Sequence, residues 1–200
     1  MQDIILATGN PGKVRELSNM LKGFNVNIRP QSDFDVPDVP ETGTTFVENA
    51  IIKARHAAKL TKLPAIADDS GIEVDALNGA PGIYSARYAG EGASDGDNLN
   101  KLIEATRAVP PTERRARYRC VLVFMRHADD PSPIICDGSW EGNLITEPRG
   151  ENGFGYDPIF FVESDNCTSA ELSKARKDEL SHRGKALREL MARLKTEQII

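Results

Sequence analysis

The chain has 200 residues, 40% of them apolar, with 25 basic and 30 acidic side chains and a formal net charge of -5. This length and apolar content suit a single domain with a real core, and the acidic balance argues against holding a nucleic-acid polymer along a broad surface. No apolar run approaches a membrane span, and the start, Met1 to Leu6, lacks a basic leader and a long apolar stretch, so no signal peptide is expected.

Strand-like and helix-like stretches alternate, which predicts an α/β fold. Ile4 to Ala7 reads as a buried strand and Thr8 to Gly12 as a turn. A helix is expected from Lys13, with Val14, Leu17 and Leu21 on one face and Gly23 as its stop. Thr45 and Glu48 have capping-box spacing, and Phe46, Ala50, Ala54 and Ala57 then form an apolar helical stripe. Leu63 to Ala67 reads as a strand ending at Asp68, with Ile72 to Val74 extending it and Asn78-Gly79 as a turn. Gly79 to Gly96 reads as a long loop, followed by a helix marked by Leu99, Leu102 and Ile103. Tyr118 to Met125 predicts a central strand, Ile134 to Ile145 a strand interrupted near Gly138 to Gly142, and Pro158 to Val162 another. Thr168 and Glu171 form a second capping pair, and Ser181 precedes a helix carrying Leu187, Leu190, Met191 and Leu194.

Four segments carry residues suited to chemistry. Thr8-Gly9-Asn10-Pro11-Gly12-Lys13 joins a strand to a helix, where backbone N–H groups, the helix dipole and Lys13 would favour an anion such as a triphosphate. It has neither P-loop nor GxGxxG spacing; an ordinary tight turn explains it as well. Asp68-Asp69-Ser70-Gly71 places two carboxylates at the expected carboxyl end of a strand, the edge at which open α/β sheets bind ligands. Magnesium takes one or two such carboxylates together with phosphate and water oxygens. Glu41, in an otherwise plain loop, offers a second acid, and Lys53 lies on one helix face with Asn49 and His56, a face that simple solvation would also explain.

The third segment is Asn152-Gly153-Phe154-Gly155-Tyr156-Asp157-Pro158. An aromatic ring on a glycine loop suits base stacking, with Tyr156 free to be core while Phe154 stacks. The fourth joins Lys177 to Ser181-His182-Arg183-Gly184, which puts cations in the first turn of a helix against its dipole. Arginine only donates hydrogen bonds, so it can read a purine keto oxygen. Arg114, Arg115, Arg117 and Arg119 form a basic cluster before the central strand, and the alternation of the last three reads as an exposed strand face. His56 and His127 lack zinc-ligand spacing, no serine nucleophile elbow is present, and Trp140 fits core or interface. Cys120, Cys136 and Cys167, odd in number and without CxxC spacing, read as reduced thiols of a cytoplasmic protein.

Taken in order, these segments and Gly79-Ala80-Pro81-Gly82-Ile83-Tyr84-Ser85-Ala86-Arg87-Tyr88 resemble the inosine triphosphate pyrophosphatase family from Leu6 to Gly184. The resemblance implies one domain over residues 1–200, built on an elongated mixed sheet flanked by helices, with two lobes and an active-site cleft between them. It implies a homodimer that uses Mg2+ to cleave non-standard purine triphosphates (dITP, ITP, XTP) to monophosphate and pyrophosphate, clearing the nucleotide pool before such bases enter DNA or RNA. By the same resemblance Thr8, Asn10 and Lys13 bind the triphosphate, Asp69 is general base and metal ligand, and Glu41 helps with the metal. Ser70 touches substrate, and Phe154, Asp157, Lys177, His182 and Arg183 line the base pocket. Three other readings are a pyrophosphatase for modified pyrimidine or standard nucleotides, a non-catalytic nucleotide-binding module, and a nucleic-acid binder. The donor set Lys177, His182 and Arg183 argues against the first, the adjacent acids Asp68 and Asp69 against the second, and the net charge against the third.

Overall fold

The computed structural model describes residues 3–22, 24 and 26–200. The elements in chain order are β1 (Asp3–Ala7), α1 (Pro11–Leu21), β2 (Asn27–Pro30), α2 (Phe46–Thr61), β3 (Ala65–Val74), α3 (Asp95–Thr106), β4 (Arg115–Met125), β5 (Ile134–Leu144), β6 (Phe160–Val162), β7 (Cys167–Thr168), α4 (Lys174–Leu180) and α5 (His182–Thr196). The strands form one sheet in the order β2-β1-β3-β4-β5-β6-β7. β1 runs parallel to β2 and β3, whereas β6 is antiparallel to β5 and β7, so the sheet is mixed. Among the described residues no helix is long and apolar enough to cross a membrane.

Two compact units divide the chain. The first holds Met1–Asp69, Cys120–Gly138 and Arg183–Ile200; the second holds Ser70–Arg119 and Ser139–His182. In the first unit, strand alternation sorts side chains onto two faces. Ile4 and Leu6 of β1, Ile66 of β3, and Leu122 and Phe124 of β4 pack with Leu17 of α1 and Leu187, Leu190, Met191 and Leu194 of α5. The intervening Ile5, Ala7, Ala65, Ala67, Val121 and Val123 pack with Ala50, Ala54, Ala57 and Ala58 of α2. The α2 stripe is alanine, which lets that helix lie close to the sheet. Each fully buried leucine, isoleucine or phenylalanine in these layers contributes about 1.5–3 kcal/mol. The second unit encloses Ile72, Val74, Leu102, Tyr118, Trp140, Leu144, Tyr156 and Phe160. Trp140 is therefore core, 5.1 Å from Phe160 between ring centroids.

Several expectations from sequence need correction. α1 begins at Pro11, not Lys13, because Asn10 caps it and proline, lacking an N–H, fits the first helical position. Its expected stop, Gly23, lies outside the described residues. β3 does not end at Asp68: it runs unbroken from Ala65 to Val74. Only its parallel register with β1 stops there, the last pair being Ala7 with Ala67. The expected loop at Gly79 to Gly96 contains a 3-10 helix, Gly82–Arg87, and ends where Ser94 and Asp97 form a capping box for α3. β5 has no interruption. Pro158 belongs to a 3-10 turn, Asp157–Ile159, that precedes β6. The Thr168/Glu171 capping box is real but holds only a 3-10 turn, and α4 starts later behind Ser173.

Candidate functional site

The first unit contributes a buried charge network. Asp68 and Asp69 are successive residues of β3, so they point to opposite faces of the sheet. Asp68 falls on the α1/α5 face with no exposed surface. It pairs with Lys13 of α1 and with Arg183 of α5, whose Nε is 3.1 Å away. The buried Cys120 thiol donates to it at 3.1 Å. Arg183 also pairs with Glu16. Burial works against the charged form of Asp68, but Lys13 and Arg183 outweigh it and hold the carboxyl well below its usual range. Burial, and next the Asp68 charge, push the Cys120 thiol well up, which keeps it a neutral donor.

Asp69 falls on the α2 face. Its Oδ1 accepts from Lys53 at 2.7 Å, and Lys53 also donates to Glu41 at 2.8 Å. The solvated-face reading of Lys53 is thus replaced by an ion pair with two acids. Burial works against the Lys53 charge, yet Asp69 and Glu41 hold the ammonium above its usual range. Burial pushes Asp69 up against the pull of Lys53. The second Asp69 oxygen, Oδ2, is buried without a hydrogen-bond partner. A buried polar atom in that condition costs about 1–3 kcal/mol unless something binds it.

Two acids share one lysine here, which leaves local negative charge beside an unmatched hard oxygen. Among the described residues no three His, Cys, Asp or Glu side chains gather to hold a metal by themselves. Magnesium does not require three, since it keeps waters and takes substrate phosphate oxygens. Asp69 with Glu41 therefore fits that ion.

The loop carrying Glu41 is pinned by the expected capping-box acid Glu48 and by two residues that sequence reading left on a solvated face, Asn49 and His56. The buried Asn49 accepts from Gly43 N–H at 2.8 Å, and Glu48 accepts from the N–H groups of Thr44 and Thr45. His56 is bound at Nε2 to the Pro37 carbonyl at 3.0 Å.

The turn Thr8 to Lys13 differs in detail from its expected role. The Asn10 side chain accepts from Gly12 N–H at 2.8 Å and Lys13 N–H at 3.1 Å, while Thr8 Oγ1 accepts from Asn10 N–H. Those N–H groups are engaged as a helix cap. Gly9 sits close to the Asp38 carboxylate, which Gln31 holds at 2.7 Å: a Cβ there would lie 2.6 Å from its oxygens and would push that exposed side chain aside. Pro11, at the first helical position, is exposed.

The second unit builds the aromatic loop. Tyr156 is core, its hydroxyl donating to the Ser85 carbonyl at 2.6 Å, while Phe154 is half-buried. Gly155 N–H donates to Asp95 at 3.0 Å. Asp157 is 3% exposed and accepts from Phe154 N–H, Lys177, Ser169 and Tyr118. Lys177 Nζ lies 5.3 Å from the Phe154 ring centroid. His182 stacks on Tyr118 at 4.7 Å, with ring planes 9° apart. Ser70, half-buried on β3, belongs to this unit.

His182 and Arg183 do open α5, as expected, but they part company there. His182 and Lys177 fall with the aromatic loop in the second unit, and Arg183 joins Asp68 and Glu16 in the first. Spacing could not have found Glu16, Cys120, Tyr118 or Ser169, since each acts through a partner distant in sequence.

The model of the Ham1 family matches residues 4–193, a span that contains every residue of both sets. This chain belongs to the Ham1 family. Its Ham1 relatives include the dITP/XTP pyrophosphatase of Vibrio cholerae, 64% identical over 198 residues and covering 99% of both chains. The dITP/XTP pyrophosphatase of Vibrio parahaemolyticus is 66% identical over 197 residues, covering 98% of both. Among solved structures, a HAM1 protein from Coxiella burnetii superposes with a TM-score of 0.90 at 51% identity, covering 98% of this chain and all of that one. The mixed α/β sheet is thus the Ham1 fold.

Proposed function

We propose that this chain is a magnesium-dependent nucleoside triphosphate pyrophosphatase that hydrolyses dITP, ITP and XTP to the monophosphate and pyrophosphate. It would thereby clear non-standard purines before they are misincorporated into DNA or RNA. The observation that carries the reading is the Asp69–Lys53–Glu41 group with its unmatched buried oxygen, in a chain whose full-length relatives bear the name dITP/XTP pyrophosphatase. The chain works as one catalytic domain over residues 1–200, as a homodimer in the cytoplasm. Its substrate is a free nucleotide, with no nucleic-acid polymer and no membrane as partner, in keeping with the net charge of -5.

Thr8, Gly9, Asn10, Pro11, Gly12 and Lys13, with Lys53, take the triphosphate. Lys13 and Lys53 are already held by carboxylates, so their charges are placed before substrate arrives and need little reorganisation. Asp69 and Glu41 would hold Mg2+, which when bound supplies positive charge against the phosphates. Asp69 would also position the attacking water. Phe154 stacks the base, Gly155 and Tyr156 shape its loop, and Ser70 touches the substrate. Asp157, Lys177, His182 and Arg183 line the base edge. Arg183, bound to Asp68, braces the network that also holds Lys13.

Pyrophosphate release from dITP, XTP, dGTP and dATP with magnesium tests the reading. The expected result is rapid release from dITP and XTP only, and a loss of about 10²- to 10⁴-fold in Asp69→Asn. Release from none of the four would leave a nucleotide-binding protein as the better account.

A further inference from the structure

Hypoxanthine, xanthine and guanine all carry a keto oxygen at C6 and an N–H at N1. They differ at C2, which bears hydrogen, a keto oxygen or an amino group. A site that accepts the first two and rejects the third must lack a hydrogen-bond acceptor at C2. In general chemical terms, a free carboxylate is the natural reader of guanine, because it can take N1–H and the amino group together.

Asp157 is the buried carboxylate of the aromatic loop, and it is fully committed. Oδ1 accepts from Ser169 Oγ at 2.6 Å and from Tyr118 Oη at 3.3 Å. Oδ2 accepts from Lys177 Nζ at 2.7 Å and from Phe154 N–H at 2.9 Å. A carboxylate offers about four lone-pair positions, and four internal donors fill them. Lys177, held between this carboxylate and the Phe154 ring, turns the acid into a mount for a donor.

We propose that guanine is rejected because Asp157 is saturated, and that Ser169 and Tyr118 are the specificity-determining residues that saturate it. This rests on the reading that the base binds at the Phe154 loop. Ser169 has no exposed surface and Tyr118 is 8% exposed, so neither needs to touch the nucleotide. Both act as positioning residues through Asp157. A keto oxygen at C2 meets the Lys177 donor, hydrogen at C2 asks for nothing, and an amino group finds no acceptor in Asp157. Leaving a buried donor unpaired is worth about tenfold to a hundredfold in discrimination.

The test is the ratio of kcat/KM for dGTP over dITP in Ser169→Ala and Tyr118→Phe, with dATP as control. Removing the Ser169 hydroxyl leaves Oδ1 short of a donor, so that the carboxylate can turn an oxygen toward the base, and the ratio is expected to rise about tenfold. Tyr118→Phe keeps the ring that supports His182 and is expected to give a smaller rise, because its bond is the longest of the four. Turnover of dATP should stay unchanged. A ratio within twofold of native in both variants overturns the proposal, as does a parallel rise for dATP, which would mean a loosened site. Where turnover is too slow to read, binding of dGMP against dIMP gives the same ratio. Thermal melting identifies a variant that has not folded, and the other then carries the test. Absence of dITP hydrolysis by the native protein would instead sink the underlying reading.

Discussion

Asp68 and Asp69 are adjacent in sequence and unlike in circumstance. Asp68 is enclosed by Lys13 and Arg183, while Asp69 keeps one oxygen unmatched. Strand alternation alone separates them, sending one to the α1/α5 face and the other to the α2 face. A third acid shows the same physics away from the site. Asp130 is 3% exposed and accepts from the N–H groups of Arg126 and Ser132 and from the Arg126 guanidinium. Burial opposes its charge, but those donors prevail and its pKa falls below 3.8. A carboxyl depressed in the folded state stabilises above the unfolded value and loses that contribution as pH falls through the folded one. Asp130→Asn is therefore expected to cost about 1 kcal/mol at neutral pH. Its deficit in melting temperature should narrow below pH 3.8. A melting series from neutral pH down to about pH 3 reads this, and a deficit independent of pH would refute the assignment.

At the scale of elements, glycine was misleading in β5. Gly138 and Gly142 suggest a break, yet the strand is continuous. Gly142 is there for space: a Cβ would lie 2.6 Å from the Phe161 carbonyl oxygen and 2.7 Å from the Phe160 ring. Backbone cannot yield as a flexible side chain can. Gly142→Ala should therefore destabilise by about 1–3 kcal/mol through overpacking, measured by urea unfolding. A neutral result would mean that β6 shifts freely. The turn before α1 teaches a related lesson, since Asn10 spends its side chain on the helix cap while the segment also carries the phosphate-binding role proposed above.

For the whole molecule, the apolar cores that supply stability lie apart from the residues proposed to hold magnesium. Three apolar clusters hold the two units, and none of them includes Asp69, Glu41 or Lys53. EDTA is therefore expected to abolish pyrophosphate release while lowering the melting temperature by only a few degrees, the cost of leaving the Asp69 oxygen unmatched, with activity restored by added magnesium. A large drop in melting temperature would show that the ion is structural, as in domains whose metal supplies folding energy.

The sequence by itself determined the α/β class, the capping boxes of α2 and of the turn after β7, the opening of α5 at His182, and the candidates Lys13, Asp68, Asp69, Asp157, Lys177 and Arg183 that the structure finds in charge networks. These are local signals: periodicity, cap chemistry, and short motifs whose order is specific. It allowed Tyr156 to be core while Phe154 stacks, and the structure shows Tyr156 buried and Phe154 half-buried. Only the tertiary structure decided that Lys53 joins Asp69 to Glu41, that Arg183 leaves His182 for Asp68 and Glu16, and that Ser169 and Tyr118 fill Asp157. Each of these bonds spans more than ten residues of chain. A side chain's partner across such a distance depends on which face and which register its element adopts, and those are set by packing of the whole sheet.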